Sequence, residues 1–119
     1  MLEVGSSVKD YKPGDKVVTH LAPGISDDQW PNFADITKGM GQQVNGTLTQ
    51  YGVFPQSGLV HMPKSCTFVE ASTLTCSALT AWNSLYGLKG REPKSGDWVL
   101  TQGTGGVSIA ALQASPRNF

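Results

Sequence analysis

The feature that most constrains this chain lies at its end, in 98-WVLTQGTGGVSIAALQASPRNF-119. An apolar strand-type run, Trp98 to Gln102, leads into Gly103-Thr104-Gly105-Gly106, and 107-VSIAALQA-114 then reads as a helix that Pro116 ends. Glycines at a strand-to-helix turn let backbone N–H groups approach a phosphate, and the helix N-terminus adds favourable partial charge. A tight structural loop has the same local pattern. The third glycine of the usual dinucleotide spacing falls at Ser108.

A nucleotide fold needs more chain than this turn is given. A ribose-reading residue is expected roughly 20 residues past the first glycine, at the end of a second strand. Only 16 residues follow Gly103, and none is acidic. Nor does 98–102 have a neighbouring strand within its own domain, which would leave its backbone groups and apolar faces to water. It nevertheless reads as a short buried-type strand, and Trp82 and Trp98 read as core rather than substrate wall.

The rest of the chain divides by character. Residues 4–19 alternate as β structure around the turn Lys12-Pro13-Gly14-Asp15, and 47–63 form a second β region rich in Thr, Tyr, Val and Phe. Between them, 22–46 are punctuated by Pro, Gly, Asp and Asn and read as loop. We therefore expect residues 1–67 to be part of a small antiparallel barrel. Residues 68–87 predict a helix, with Leu74, Ala78, Trp82, Leu85 and Tyr86 at three- and four-residue steps and Gly87 as its stop. Lys94-Ser95-Gly96-Asp97 is another turn.

Composition excludes some partners. Nine basic and nine acidic residues give a formal net charge of zero, so nothing favours nucleic acid or an anionic membrane surface. No apolar run approaches the ~20 residues of a membrane span. The N-terminus lacks a secretory signal pattern. Cys66 and Cys76 alone argue against a disulfide framework and for a reducing, cytoplasmic setting.

Four segments in order resemble the medium-chain dehydrogenase/reductase superfamily, in its zinc-type alcohol dehydrogenase and quinone oxidoreductase branch. They are VGSSVKDYKPGDKVV (4–18), GTLTQYGVFP (46–55), LTCSALTAWNSL (74–85) and SGDWVLTQGTGGVS (95–108). The resemblance implies a mixed β and α/β chain: a partial GroES-like β-barrel over 1–67, then the linking helix and first strand-turn-helix of a Rossmann domain over 68–119. It implies NADP or NAD as cofactor, held at Gly103, Thr104, Gly105, Gly106 and Val107, with Thr80 facing the nicotinamide. It implies hydride transfer with an alcohol, carbonyl or quinone as the small-molecule substrate. A homo-oligomer is compatible with it.

The same resemblance places Cys76 at the third zinc-ligand position of zinc-type members, and the first two ligands have no counterpart here. Zinc is thus unsupported within this chain, and a small buried helical Cys76 is the competing reading. No catalytic residue is assigned. Cys66 reads as a loop or core thiol, His20 and His61 as surface or strand histidines, and the spacing of these three gives no support to a metal site. Trp30 lies in a loop able to border a substrate pocket, while Asp27, Asp28 and Asp35 read as solvated carboxylates. The chain starts well inside the family's barrel, and its ASPRNF end departs from the family pattern. Both ends are expected to be cut, and the 119 residues alone are expected to be inactive and to bind NADPH weakly or not at all. The alternative is a non-catalytic fragment or interaction module that pairs with an intact homologue.

Overall fold

A computed structural model describes residues 1–25 and 30–116. The chain divides into two compact units, Met1–Ala71 and Ser72–Phe119.

The first unit is built on a short antiparallel pair, β1 (Val17–Thr19) and β2 (Leu59–His61). Val17 faces His61, Val18 faces Val60 and Thr19 faces Leu59. The ladder runs one step further at each end, because Met62 N–H donates to Lys16 and His20 N–H donates to Gly58. The turn feeding β1 has Pro13 and then Gly14 at its centre. Gly14 has φ of 91°, and Asp15 N–H donates to the Lys12 carbonyl across it. That is the chemistry of a type II turn, in which the second central residue must be left-handed. Tyr11 braces the pair from outside, its hydroxyl donating to the Leu59 carbonyl at 2.6 Å and its ring 4.7 Å from that of His61. Met40, Met62 and Ala71 are the buried apolar side chains of this unit. Gly58 is buried with them, where an added Cβ would lie 2.9 Å from Pro23.

The β content is thus smaller than the alternation in 4–19 and 47–63 suggests: each region contributes three paired residues. Residues 22–46 also hold a helix that the loop reading passes over, α1 (Phe33–Thr37). It is closed by a capping box in which Asn32 and Asp35 each bond the other's backbone N–H. Asp35 is therefore a half-buried helix-capping carboxylate rather than a merely solvated one, and Asp27 and Asp28 lie outside the described residues. A second such box starts α2 (Phe68–Ser72). Glu70 accepts from the Thr67 amide at 2.8 Å, and the Thr67 hydroxyl accepts from the Glu70 amide at 3.3 Å.

The second unit is helical. A π-helical turn, Leu74–Ala78, leads directly into α3 (Leu79–Tyr86), and after a long connection comes α4 (Gly106–Ala114), packed against both. The helical expectation for 68–87 holds in extent but not as one regular helix: α2 ends at Ser72, Thr73 is a turn, and the π turn and α3 follow, with Gly87 as the last cap. The π turn within it has no signature in the periodicity. Ala81 is fully buried in this unit.

Residues 98–102 form no strand, because no second strand lies beside them among the described residues to receive their hydrogen bonds. Trp98 and Leu100 are accordingly 99% and 96% exposed, and Trp82 is also exposed, so neither tryptophan is core. Leu48 and Val53 in the first unit are almost wholly exposed, as are Trp98 and Leu100 in the second.

Candidate functional site

The glycine turn lies wholly in the second unit, and its shape follows from its residues. Gly103 has φ of 83°, a conformation that side chains rarely adopt, and it turns the chain out of the extended run 98–102. Gly105 is the N-cap of α4, with extended backbone and no side chain capping it. The first helical hydrogen bond is Ile109 N–H to the Gly105 carbonyl. Amides of the first turn of α4 therefore have no intrahelical acceptor. The Ser108 hydroxyl donates to the Gln102 carbonyl at 3.0 Å, which ties that first turn back to the residue preceding Gly103.

The surroundings of the three glycines differ. A Cβ at Gly103 or at Gly105 would meet nothing within 4 Å. One at Gly106 would lie 2.8 Å from Ser77 Oγ and 3.2 Å from Ser77 Cβ. One side of the turn is thus open, and the other sits directly on the π-helical turn. An open pair of glycines at an uncapped helix start leaves amide hydrogens free of side-chain cover, an arrangement that can donate to an anion. Thr104 and Val107 flank this opening in sequence, and both are exposed.

Thr80 is exposed in the first turn of α3. Cys76 is an exposed free thiol in the π turn, one residue from the Ser77 that meets Gly106. Its exposure removes the reading of a small buried helical cysteine. Cys66 is a half-buried loop thiol. His20 follows β1, its Nε2–H donating to the Ser57 carbonyl, and His61 lies on β2 with Nε2–H to the Asp10 carbonyl at 3.2 Å. Among the described residues no group of three His, Cys, Asp or Glu side chains is gathered to hold a metal. The described residues alone do not assemble a zinc centre around Cys76. Trp30 is exposed.

Ser77 is the residue that sequence reasoning missed. A serine inside an apolar helical pattern is ordinarily solvent-facing, and the local widening that turns this one toward α4 leaves no trace in the spacing.

No family model matches the chain. It is 41% identical over 111 residues to a zinc-type alcohol dehydrogenase-like protein of Schizosaccharomyces pombe, covering 93% of this chain and 32% of the relative. It is 33% identical over 116 residues to a mitochondrial NAD(P)H oxidoreductase of Homo sapiens, covering 95% of this chain and 24% of that one. Among solved structures, it matches a crystal structure described as that of an alcohol dehydrogenase from Sinorhizobium meliloti 1021. The TM-score is 0.83 with 42% identity, over 92% of this chain and 32% of that one. The chain spans about a third or less of the length of these relatives, all of which are named as oxidoreductases or dehydrogenases. No helix among the described residues is long and apolar enough to cross a membrane.

Proposed function

Starting from its relationship to the medium-chain dehydrogenase/reductase superfamily, which these relatives support over the segment it spans, we propose that the chain is part of an NAD(P)-dependent oxidoreductase. In this reading 1–67 belong to a GroES-like barrel. Residues 68–119 supply the linking helix, the extended run 98–102 that becomes a first strand only beside a partner strand, and the turn and helix that follow it in a Rossmann domain. The observation that carries it is the turn itself: Gly103 and Gly105 open to solvent at the uncapped start of α4.

When bound, the nicotinamide cofactor supplies hydride chemistry toward an alcohol, carbonyl or quinone. The chain's own residues supply position. Gly103 bends the backbone, the amides from Gly105 onward donate to phosphate oxygens, and Thr80 offers a hydroxyl toward the nicotinamide side. A few exposed amide contacts stabilise a dinucleotide weakly, so the 119 residues alone are expected to be inactive. NADPH fluorescence titration of the isolated chain checks this. No saturation in the micromolar range is expected, and a micromolar affinity would show that the site is already complete.

One observation favours a second reading. The nearly complete exposure of Trp98 and Leu100 suits a module that pairs through 98–102 with an intact homologue. Size-exclusion chromatography separates the two. A clean monomer argues against pairing, and a defined dimer or a complex with a homologue supports it.

A further inference from the structure

We propose that Ser77 is a positioning residue for the glycine turn, acting through Gly106; this rests on reading that turn as a phosphate-binding element. The contact leaves no slack. A Gly106 Cβ would stand 2.8 Å from Ser77 Oγ and 3.2 Å from Ser77 Cβ; a serine rotamer change relieves the first distance, but the second is relieved only by a shift of one helical segment against the other. The start of α4 therefore rests on the π-helical turn.

The far end of α4 is held as well. The Tyr86 hydroxyl donates to the Ala114 carbonyl at 2.7 Å, and the Tyr86 ring stacks on Trp82 with centroids 4.5 Å apart. Ser77 meets Gly106 and Tyr86 meets Ala114, so the two helical segments run in the same direction. At about 1.5 Å per residue, nine steps along one segment and eight along the other span about 13.5 and 12 Å, a close match. α4 cannot slide by a turn without breaking one of these contacts. The turn is thus bracketed, at its entry by Ser108 to Gln102 and at its exit by Gly106 on Ser77. The direction in which its amides point is set by where Ser77 holds the helix.

The test uses the isotope-labelled 119-residue chain and the backbone amide resonances of Gly103, Thr104 and Gly105. Gly106→Ala is expected to move these resonances and to lower the thermal midpoint by on the order of 5 °C. The amides near Ala114 are expected to stay in place. Adding Ser77→Gly to Gly106→Ala opens the space again and should return the turn resonances most of the way. Unmoved turn resonances in Gly106→Ala, or no recovery in the double variant, would overturn the proposal. If Gly106→Ala does not fold, Ser77→Gly alone decides: amide exchange at Ile109, whose N–H donates to the Gly105 carbonyl, should quicken several-fold, and unchanged exchange would overturn it. No nucleotide enters these readouts. A turn that responds as expected but takes up no ADP leaves this inference standing and removes the nucleotide reading instead.

Discussion

Two stretches of this chain share five of eight residues, 12-KPGDKVVT-19 and 94-KSGDWVLT-101, and they end differently. Their turns are alike in detail. Gly14 and Gly96 have φ of 91° and 96°. Asp15 and Asp97 N–H donate to the Lys12 and Lys94 carbonyls at 3.1 and 3.0 Å. The same aspartates accept from the lysine amides at 2.9 and 2.7 Å. Beyond the turn the likeness stops. Val17–Thr19 form a strand because Leu59–His61 lie beside them, whereas Trp98–Thr101 have no backbone partner among the described residues. Turn chemistry is local and complete in both places. A strand is a property of two segments, and only one of these stretches has its second.

The largest expected effect breaks the first stretch and spares the second. Val18 and Val60 are the hydrogen-bonded pair between those at 16/62 and 20/58, since such pairs alternate along an antiparallel ladder. Val18→Pro removes that exchange and should cost about 2 kcal/mol. Amide exchange at His20 and Met62 should then quicken by roughly 30-fold. Val99→Pro, with no ladder bond to lose, should leave the exchange of α4 amides within about two-fold. Equal losses from the two prolines would show that 98–102 is paired after all.

A smaller effect should treat the two stretches alike. A Cβ at Gly14 or at Gly96 meets nothing within 4 Å, so only the left-handed backbone resists substitution. Gly14→Ala and Gly96→Ala should each cost about 1 kcal/mol in their own unit, read by urea denaturation. A difference larger than the cost itself would mean that one turn is held by something other than its φ.

The smallest effect concerns a capping group outside both stretches. The Thr67 amide first, and then the Thr67 hydroxyl, hold the Glu70 carboxyl below its ordinary value of 4.5. Because the folded-state value is depressed, its contribution is complete above pH 4.5 and is lost as pH falls through the lower folded value. Acidification should therefore fray α2, and Glu70→Gln should flatten that part of the profile in far-ultraviolet circular dichroism. Glu92, held low by its own amide and then by that of Gly90, should retain its share in the variant.

What could be read from the sequence follows the same division. The turns at 12–15 and 94–97, the helix over 68–87 and the glycine turn at 103–106 were legible because each is decided within a few residues. α1 had a signal too, the Asn32 and Asp35 pair, hidden among prolines and glycines. The strands were over-read at 4–19 and 47–63 and misread at 98–102, because alternation reports a capacity to pair and not the presence of a partner. A core reading of Trp82 and Trp98 fails because burial depends on what lies opposite. At the candidate site, Gly103 and Gly105 were visible as residues. The Ser77 contact was not, since it depends on a π turn and on two helices meeting.

The central claim is that Gly103 to Val107 form a phosphate-binding turn. The most direct test is to titrate the isotope-labelled chain with ADP and follow every backbone amide. The expected result is weak binding, with a Kd on the order of 1 mM. Shifts should be confined to Gly103 through Ser108 and lost in Gly105→Asp, which fills the open side with a negative charge. No shift at several times that concentration, or shifts elsewhere that survive Gly105→Asp, would contradict it.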